Sequence, residues 1–354
     1  MGSVQNVVLG LFDSGYAVSA VILAFFLLPL VLALLFGRVF CAAVCPLGAI
    51  QDAVVWRPQR IPSWVEHGLH MLAYAYLGAA VLFAATGTSF IICRFDPFVG
   101  IFRRTGTFAM LLTGALLLAL GLFVARPYCR FLCPYGVVLS WLSRLSWRHA
   151  TITPDDCVNC RLCEEACPFG AIQAPTPTPY PEPRAAGLAR LRRLTAAVPA
   201  LIVAGAVAFY FIGGSWAGAH DTVHLDRLLQ TYPVTAAVAD VPDEVEAFRD
   251  GDRDAAVVRA EARRVRRHFR WGGALLGAFL GLVLGLKLID LARHKQRTEY
   301  TIDKGRCLSC TRCFATCPRE QLRLHGPPAA GRGAEETDTR GTRTDTDGHG
   351  RTRT

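Results

Sequence analysis

The chain has 354 residues, of which 52% are hydrophobic, and its 38 Lys and Arg against 28 Asp and Glu give a formal net charge of +10. Most of the basic residues lie beside long uncharged blocks, as orientation signals of membrane proteins do, so the charge does not indicate a nucleic-acid partner. The sequence shows no nucleophile triad, phosphate-binding loop or carboxylate pair, and hydrolase chemistry therefore has no support.

Five apolar blocks are long enough to cross a bilayer as helices, for which about 20 residues suffice. The blocks are residues 16–37, 71–93, 105–125, 194–219 and 271–289. Only the last block contains a charged residue, Lys287, near its end. Buried helices of a soluble core are the alternative, but such helices rarely stay apolar on every face over this length. We therefore predict a mainly α fold built on a five-span transmembrane helix bundle in the bacterial inner membrane.

Basic residues beside the blocks predict the orientation of the bundle. By the positive-inside rule, the cytoplasmic segments are 38–70, 126–193 and 290–354. The N-terminus is then periplasmic and the C-terminus cytoplasmic, although basic residues at 94–104 and 263–270 oppose this orientation. Twelve of the thirteen cysteines share the cytoplasmic face, and only Cys93 is expected on the opposite face. We expect no cleaved signal peptide, because no Lys or Arg precedes Arg38.

Two segments carry the cysteine spacing C-x2-C-x2-C-x3-C-P. They are "CVNCRLCEEACP", with Cys157, Cys160, Cys163 and Cys167, and "CLSCTRCFATCP", with Cys307, Cys310, Cys313 and Cys317. This spacing is typical of bacterial ferredoxins, in which three close thiolates bind one [4Fe–4S] cluster and the fourth binds the neighbouring cluster. Zinc is the competing interpretation, because paired C-x2-C motifs also hold zinc. The Cys-Pro ending, which occurs twice, favours two [4Fe–4S] clusters.

The two runs are far apart in the chain, but the two apolar blocks between them return the chain to the same face. We therefore predict one split, cytoplasmic, bacterial-ferredoxin-like domain that binds two clusters. The predicted ligands of the first cluster are Cys157, Cys160, Cys163 and Cys317. The predicted ligands of the second cluster are Cys307, Cys310, Cys313 and Cys167.

Two further cysteine pairs, here called the CxxxCP pairs, stand at the cytoplasmic ends of the first and third blocks. They are Cys41 and Cys45 in "CAAVCPLG", and Cys129 and Cys133 in "CRFLCPYG". Residues four apart share a face of a helix, and the proline after each pair helps to end that helix. We predict that the four thiols converge in one site that holds a third cluster, a soft metal ion or a reversible thiol couple. Small apolar residues at helix ends are the structural alternative.

The segments "GRVFCAAVCPLGAIQD" and "RPYCRFLCPYGVVLSWLSRLS", together with the two ferredoxin runs, resemble the NapH/NosR group of membrane polyferredoxins over residues 16–320. The resemblance implies a quinol-dehydrogenase-like electron-transfer component that passes electrons from the quinol pool, with quinone at the membrane, toward periplasmic reductases, or that supports their maturation. It also implies redox partner proteins, among them a periplasmic or flavin-bearing subunit. NosR resembles a fusion to a periplasmic flavin domain. Here nothing precedes the first block and the outer loop has no flavin-attachment sequence, so we expect no covalent flavin.

The sequence divides into six regions. They are 1–150 with spans one to three and the CxxxCP pairs, 151–173 with the first ferredoxin motif, the Pro-rich linker 174–193, 194–292 with spans four and five and the outer loop 220–270, 293–325 with the second ferredoxin motif, and the tail 326–354. The tail has almost no apolar residues, so we predict that it is disordered.

Glycines repeat every four residues in the fifth block, a pattern that lets another helix approach closely. They are Gly273, Gly277, Gly281 and Gly285. The histidine pairs at 67 and 70 and at 220 and 224 are weaker candidates for a quinone or haem contact.

These features favour a membrane-bound relay of single electrons between the quinol pool and a respiratory reductase or partner redox protein. The alternative from another class is an assembly or regulatory factor for a periplasmic metalloenzyme, in which the CxxxCP cysteines handle copper or sense redox state. A scaffold stabilised by redox-silent clusters is the weakest alternative.

Overall fold

The computed structural model describes residues 2–13, 15–59, 61–103, 106–152, 157–176, 183–232, 241–251, 253–293 and 297–326. These residues are mainly helical. The helices are α1 (Gly2–Phe12), α2 (Ala20–Phe36), α3 (Pro46–Val54), α4 (Ser63–Ala85), α5 (Ile91–Phe95), α6 (Pro97–Arg103), α7 (Phe108–Gly121), α8 (Pro127–Phe131), α9 (Pro134–Arg144), α10 (Leu162–Ala166), α11 (Arg184–Trp216), α12 (Asp221–Thr231), α13 (Asp243–Arg249), α14 (Ala255–Ala292), α15 (Arg312–Thr316) and α16 (Pro318–His325). Residues 177–182 of the predicted linker and nearly all of the predicted disordered tail lie outside the described residues.

Three helices of the described chain are long and apolar enough to cross a membrane, and they correspond to the predicted second, fourth and fifth spans. They lie at Ser63–Ala85, Ala185–Ala219 and Ala255–Ala292. The predicted first and third spans contain α2 and α7, which have 17 and 14 residues. Both helices are shorter than the roughly 20 residues that a full crossing needs. The structure therefore supports a helical membrane protein with three candidate spans, and the count of five stays a prediction.

The predicted outer loop between the second and third spans forms the short helices α5 and α6, which fold back on the bundle. α6 packs against α7, where a Cβ added to Gly100 would lie 2.9 Å from the Cα of Gly106. Between the two short helices, Asp96 accepts a hydrogen bond of 3.0 Å from the backbone N–H of Phe98 and another from the hydroxyl of Tyr128. The rings of Phe98 and Tyr128 meet edge to face at 4.9 Å. This segment thus reaches the start of α8.

The glycines of α14 lie directly against α11, so the predicted close approach of another helix is present. A Cβ added to Gly277 would lie 2.0 Å from the carbonyl oxygen of Gly205, and one added to Gly273 would lie 2.4 Å from that of Phe209. Small residues at such a crossing bring two backbones into van der Waals contact, which is the main attraction between helices inside a bilayer. The two helices therefore form a closely packed hairpin.

The Gly277→Ala variant should lose stability, because the added methyl group overlaps a backbone atom that cannot move independently of α11. We expect a cost of about 1–3 kcal/mol, as for other overpacked sites. Gly187→Ala in α11 is the matched control, since a Cβ there meets no atom within 4 Å and should gain up to about 1 kcal/mol of helix propensity. Equal unfolding midpoints of the two variants in detergent would contradict the close packing.

The two ferredoxin runs form one small unit. The strands β1 (Ile172–Gln173) and β2 (Thr301–Ile302) pair antiparallel, with Ile172 opposite Ile302, and α10 packs against α15. The split ferredoxin unit predicted from the sequence is therefore assembled from segments on either side of the α11–α14 hairpin. It docks on α9, where the hydroxyl of Ser140 donates to the carbonyl of Gly305 at 2.9 Å and that of Ser143 to the carbonyl of Lys304 at 2.7 Å.

Candidate redox sites

The structure separates the eight ferredoxin cysteines into two sets of four. The first cavity is lined by Cys157, Cys160, Cys163 and Cys317. The second cavity is lined by Cys167, Cys307, Cys310 and Cys313. In each set, three cysteines come from one run and the fourth comes from the other. The placement has the crossed arrangement predicted from the sequence, while the ligation itself stays a prediction.

Backbone conformation explains how each run wraps its cavity. Asn159 and Arg161 in the first run, and Ser309 and Thr311 in the second, have φ between 53° and 64°. Residues other than glycine adopt this left-handed region uncommonly, so its occurrence at matching positions shows that both loops have one conformation. The last cysteine of each run follows a short helix in an extended conformation, with ψ of 101° at Cys167 and 114° at Cys317. This extension carries each last cysteine away from its own run.

The two sets fit a cubane better than a single zinc ion. Among the described residues, no three His, Cys, Asp or Glu side chains stand close enough to hold one metal ion. A zinc site needs four ligand atoms at about 2.3 Å from one centre, whereas a [4Fe–4S] cluster spreads its thiolates over four iron atoms. Burial raises the pKa of the Cys163 and Cys307 thiols and that of Cys313 to about 11. A bound cation would favour the thiolate form of these three cysteines.

Anaerobically prepared protein should contain about eight iron atoms in these two sets, because each [4Fe–4S] cluster holds four. Iron and zinc are measured together by elemental analysis of the purified protein. A preparation that carries zinc at these cysteines and lacks iron would overturn the cluster assignment.

The CxxxCP cysteines all line one larger cavity of about 570 Å³. Cys41 follows α2 in a π-helical turn at Phe40–Val44, and Cys129 lies in α8. The second cysteine of each pair leaves the helix, with ψ of 115° at Cys45 and 110° at Cys133. The prediction that the two cysteines of each pair share one helix face is therefore wrong, because the residue before a proline avoids helical geometry. The prolines that follow, Pro46 and Pro134, begin α3 and α9. The chain therefore changes direction between the helices at each pair, and both pairs line the same cavity.

These thiols are shielded from water and have polar partners. Burial raises the pKa of Cys41, raises that of Cys129 to about 12 and raises that of Cys133 well above its ordinary value. Cys129 Sγ accepts a hydrogen bond of 3.2 Å from the side-chain amide of Gln51, and Cys133 Sγ accepts one of 3.2 Å from the N–H of Gly136. Burial therefore favours the neutral form of Cys41, Cys129 and Cys133.

Two arginines that sequence reasoning treated only as orientation signals are buried beside these cysteines. Arg38 and Arg126 stand three residues before Cys41 and Cys129, and are 7% and 1% exposed. Arg126 donates to the carbonyl of Cys41 at 2.6 Å, so it crosses from its own motif to the other one. A Cβ added to Gly136 would lie 3.3 Å from a guanidinium nitrogen of Arg38, which makes the reciprocal crossing. The matched position before each pair is the signal that could have identified them.

Two carboxylates join the second CxxxCP segment to the second ferredoxin run. Glu66, which is 4% exposed, accepts from Arg130 at 2.7 Å and pairs with Arg306 at 3.0 Å. Asp52 accepts from Arg126 Nε at 2.7 Å and lies 3.9 Å from Arg312. The Asp52–Arg312 contact is partly exposed and therefore weak, whereas the Glu66 bridge is buried. Glu66 is thus the main electrostatic link between the two segments.

The second ferredoxin cavity lies next to the CxxxCP cavity. Cys167 and Cys310 pack in one apolar cluster with Cys41, together with Phe169 and Leu308. The guanidinium of Arg126 lies 5.6 Å from the centre of the Phe169 ring. In the first cavity, by contrast, Cys160 is exposed to solvent. The three cysteine sites therefore follow one another from the bundle to the outer surface of the ferredoxin unit.

The remaining candidates have structural partners. His220 caps α12 by accepting from the N–H of Thr222 at 3.2 Å, and His224 lies 3.5 Å from Glu244. His67 contacts Arg306 at 3.1 Å, and His70 packs against Phe131 with ring centres 5.6 Å apart. Cys93, which the sequence separates from the other cysteines, lines the CxxxCP cavity through the folded-back α5.

The chain matches a 4Fe-4S binding domain family at residues 18–64 and again at 105–152, and a second 4Fe-4S binding domain family at 150–173. The first family therefore matches each CxxxCP segment once.

Relatives of known name match about two fifths of the chain. The putative electron transport protein YccM of Escherichia coli is 27% identical over 46% of the chain and 49% of its own length. Protein NirI of Paracoccus denitrificans is 33% identical over 39% of the chain and 22% of its length. Regulatory protein NosR of Pseudomonas aeruginosa is 30% identical over 39% of the chain and 21% of its length. No solved structure matches significantly. Over residues 18–64 and 105–173 the chain is therefore similar to ferredoxin-type membrane proteins, and these matches support its resemblance to the NapH/NosR-type membrane polyferredoxins.

Proposed function

We propose that this protein relays single electrons between the quinol pool and a respiratory reductase or another redox partner. One observation carries the proposal: each cysteine site packs against the next. Cys41 packs with Cys167 and Cys310 of the second ferredoxin set, and that set packs with the first, in which Cys160 is exposed. A chain of closely spaced one-electron sites leading from the apolar bundle to an exposed surface suits electron transfer. A scaffold would not require this order.

The ferredoxin cysteines would hold two [4Fe–4S] clusters with crossed ligands. Cluster one takes Cys157, Cys160, Cys163 and Cys317, and cluster two takes Cys167, Cys307, Cys310 and Cys313. When bound, each cluster accepts and donates one electron. The chain's own contribution is to hold the second set against the bundle through Glu66 and to supply N–H groups to sulfur, such as that of Ser309 to Cys307 at 3.3 Å. Such contacts tune the potential of a cluster.

The CxxxCP cysteines form the third site of the relay. The family model that covers both segments is described as a 4Fe-4S binding domain, which favours a third cluster over a copper ion or a two-electron thiol couple.

The membrane arrangement belongs to the same proposal. We place five spans in the bacterial inner membrane, with the clusters and the C-terminus in the cytoplasm and the N-terminus in the periplasm. The basic segments flanking the apolar blocks support this orientation. A flavin-bearing or periplasmic protein remains the proposed partner, since NosR, NirI and YccM are the kinds of protein that the chain resembles.

A second candidate function is an assembly or regulatory factor for a periplasmic metalloenzyme. The observation that favours it is the group of four thiols around one open cavity, because soft thiolate ligands also suit Cu(I). The name of the relative NosR, a regulatory protein, is compatible with this alternative.

One experiment on the purified, cluster-loaded protein separates the two functions. If the protein is a relay, rapid mixing with a short-chain quinol should reduce the clusters, and titration with Cu(I) should show no stoichiometric binding. Copper bound in a fixed ratio, lost when Cys41 and Cys129 are replaced with serine, would favour the assembly factor. Failure of the quinol to reduce clusters that dithionite does reduce would contradict the relay.

A further inference from the structure

The CxxxCP cavity has the form of a binding site for a molecule that enters from the lipid. Its volume of about 570 Å³ lies within the range of small-molecule sites. Ile22, Phe25 and Pro29 of α2 form its apolar wall. Phe25 is also 69% exposed, beside the equally exposed Val21 and Leu28. The cavity therefore reaches the outer, apolar surface of α2, which would face lipid in a membrane.

Polar and titratable groups also line the cavity. Asp96 is 1% exposed, Arg38 is 7% exposed, and both line the cavity with the four CxxxCP cysteines. An ionisable side chain buried among membrane helices is costly, and usually marks a site of proton or ligand chemistry. A lipid tail would need neither a carboxylate nor redox-active thiols. A molecule with an apolar tail and an oxidisable, proton-releasing head would use the apolar wall, the carboxylate and the thiols.

A hydrogen-bonded path joins this carboxylate to one of the thiols. Tyr128 donates its hydroxyl to Asp96, and its backbone N–H donates to the side-chain oxygen of Gln51 at 3.1 Å. The amide of Gln51 then donates to Cys129 Sγ at 3.2 Å. Tyr128 and Gln51, which are both buried, therefore connect the Asp96 carboxylate to the Cys129 thiol.

We propose that this cavity binds the head of a lipid-soluble quinol and that the Asp96 carboxylate accepts its protons. Oxidation of the hydroquinone to the quinone breaks two O–H bonds and releases two electrons and two protons. The electrons pass singly to the two [4Fe–4S] clusters, and each proton goes to Asp96 and then to water before the next one is released. The inference rests on the proposed function, because it places the quinol step of that relay at named residues.

The test uses the cluster-loaded protein in lipid nanodiscs. Asp96→Asn should slow quinol-driven cluster reduction by at least about 100-fold, the usual loss when a general base is removed. Its reduction by dithionite and its binding of a photoreactive quinone analogue should match those of the wild type. Asp250→Asn, a change of an exposed residue far along the chain, is the control and should behave like the wild type. The analogue should crosslink to peptides of α2 or α6.

A second variant protects the test against misfolding. Phe25→Trp narrows the apolar wall without touching the carboxylate, and should weaken binding of the analogue several-fold. Two results would overturn this site and leave the relay intact, provided that quinol reduces the wild type. One is crosslinks confined to other helices, and the other is an Asp96→Asn variant that quinol reduces as fast as the wild type. A wild type that quinol cannot reduce would instead contradict the relay itself. Crosslinking by lipid analogues alone would identify the cavity as a lipid site and overturn the proposal.

Discussion

Replacing Cys317 with alanine should remove the cluster of the first ferredoxin run and leave the cluster of the second run in place. The reason is that Cys317 lines the cavity of Cys157, Cys160 and Cys163, although it follows the second run in sequence. Iron should fall by about four atoms per chain, because one [4Fe–4S] cluster of the ferredoxin unit is lost. Electron paramagnetic resonance of the reduced protein should show a single cluster without the coupling to a neighbour.

Cys167→Ala is the matched control, since Cys167 lines the cavity of the second run. It should give the opposite pattern, with the first cluster kept and the second lost. The same pair of serine variants repeats the test if alanine prevents folding. Loss of the second cluster in Cys317→Ala, with the first intact, would show that each run binds its own cluster and would contradict the crossed arrangement.

The second large effect should follow from Glu66→Gln. The buried carboxylate of Glu66 bridges Arg130, beside Cys129, and Arg306, beside Cys307. Removing its charge leaves two guanidinium groups facing each other, and breaking a buried ion pair costs about 3–5 kcal/mol. We expect a lower unfolding midpoint and faster hydrogen exchange in the second ferredoxin run. The matched control is Glu244→Gln, whose contact with His224 is exposed and is worth at most about 1 kcal/mol.

A Glu66→Gln protein with exchange rates and an unfolding midpoint equal to those of Glu244→Gln would exclude the bridge as a link between the bundle and the ferredoxin unit. Faster exchange confined to α4, with the second run unchanged, would show that Glu66 stabilises its own helix only. Either result would leave the hydroxyl contacts of Ser140 and Ser143, the Asp52–Arg312 contact and the apolar cluster around Phe169 and Leu308 to hold the unit.

The features set by local pattern were predictable from the sequence. The cysteine spacing predicted which cysteines share a cavity, and the glycines of α14 predicted a close helix partner. The three longest apolar helices also coincide with predicted spans. In each case the information lies in residues close together in sequence, such as the four-residue period of the glycines.

Features that depend on long-range contacts were not predictable in this way. Hydropathy marks 105–125 as one apolar block, but α7 ends at Gly121 and Arg126 adopts a left-handed conformation that redirects the chain. Charge near a membrane span indicates orientation, but it does not reveal that the buried Arg126 donates a hydrogen bond to Asp52. Hydropathy places Cys93 at the end of an apolar block, and it does not reveal that α5 and α6 fold back so that Cys93 lines the CxxxCP cavity. Only packing in three dimensions shows these contacts.

Quinol-driven reduction in sealed proteoliposomes tests the central claim most directly. The cluster-loaded protein is incorporated into anaerobic vesicles with a quinol in the bilayer, and cluster absorption is followed with time. The relay predicts bleaching by the quinol alone, to the extent of about two electrons per chain for two clusters, and recovery when an oxidant is added on the side of the ferredoxin unit. Clusters that stay oxidised with quinol present, although dithionite reduces them, would contradict the account.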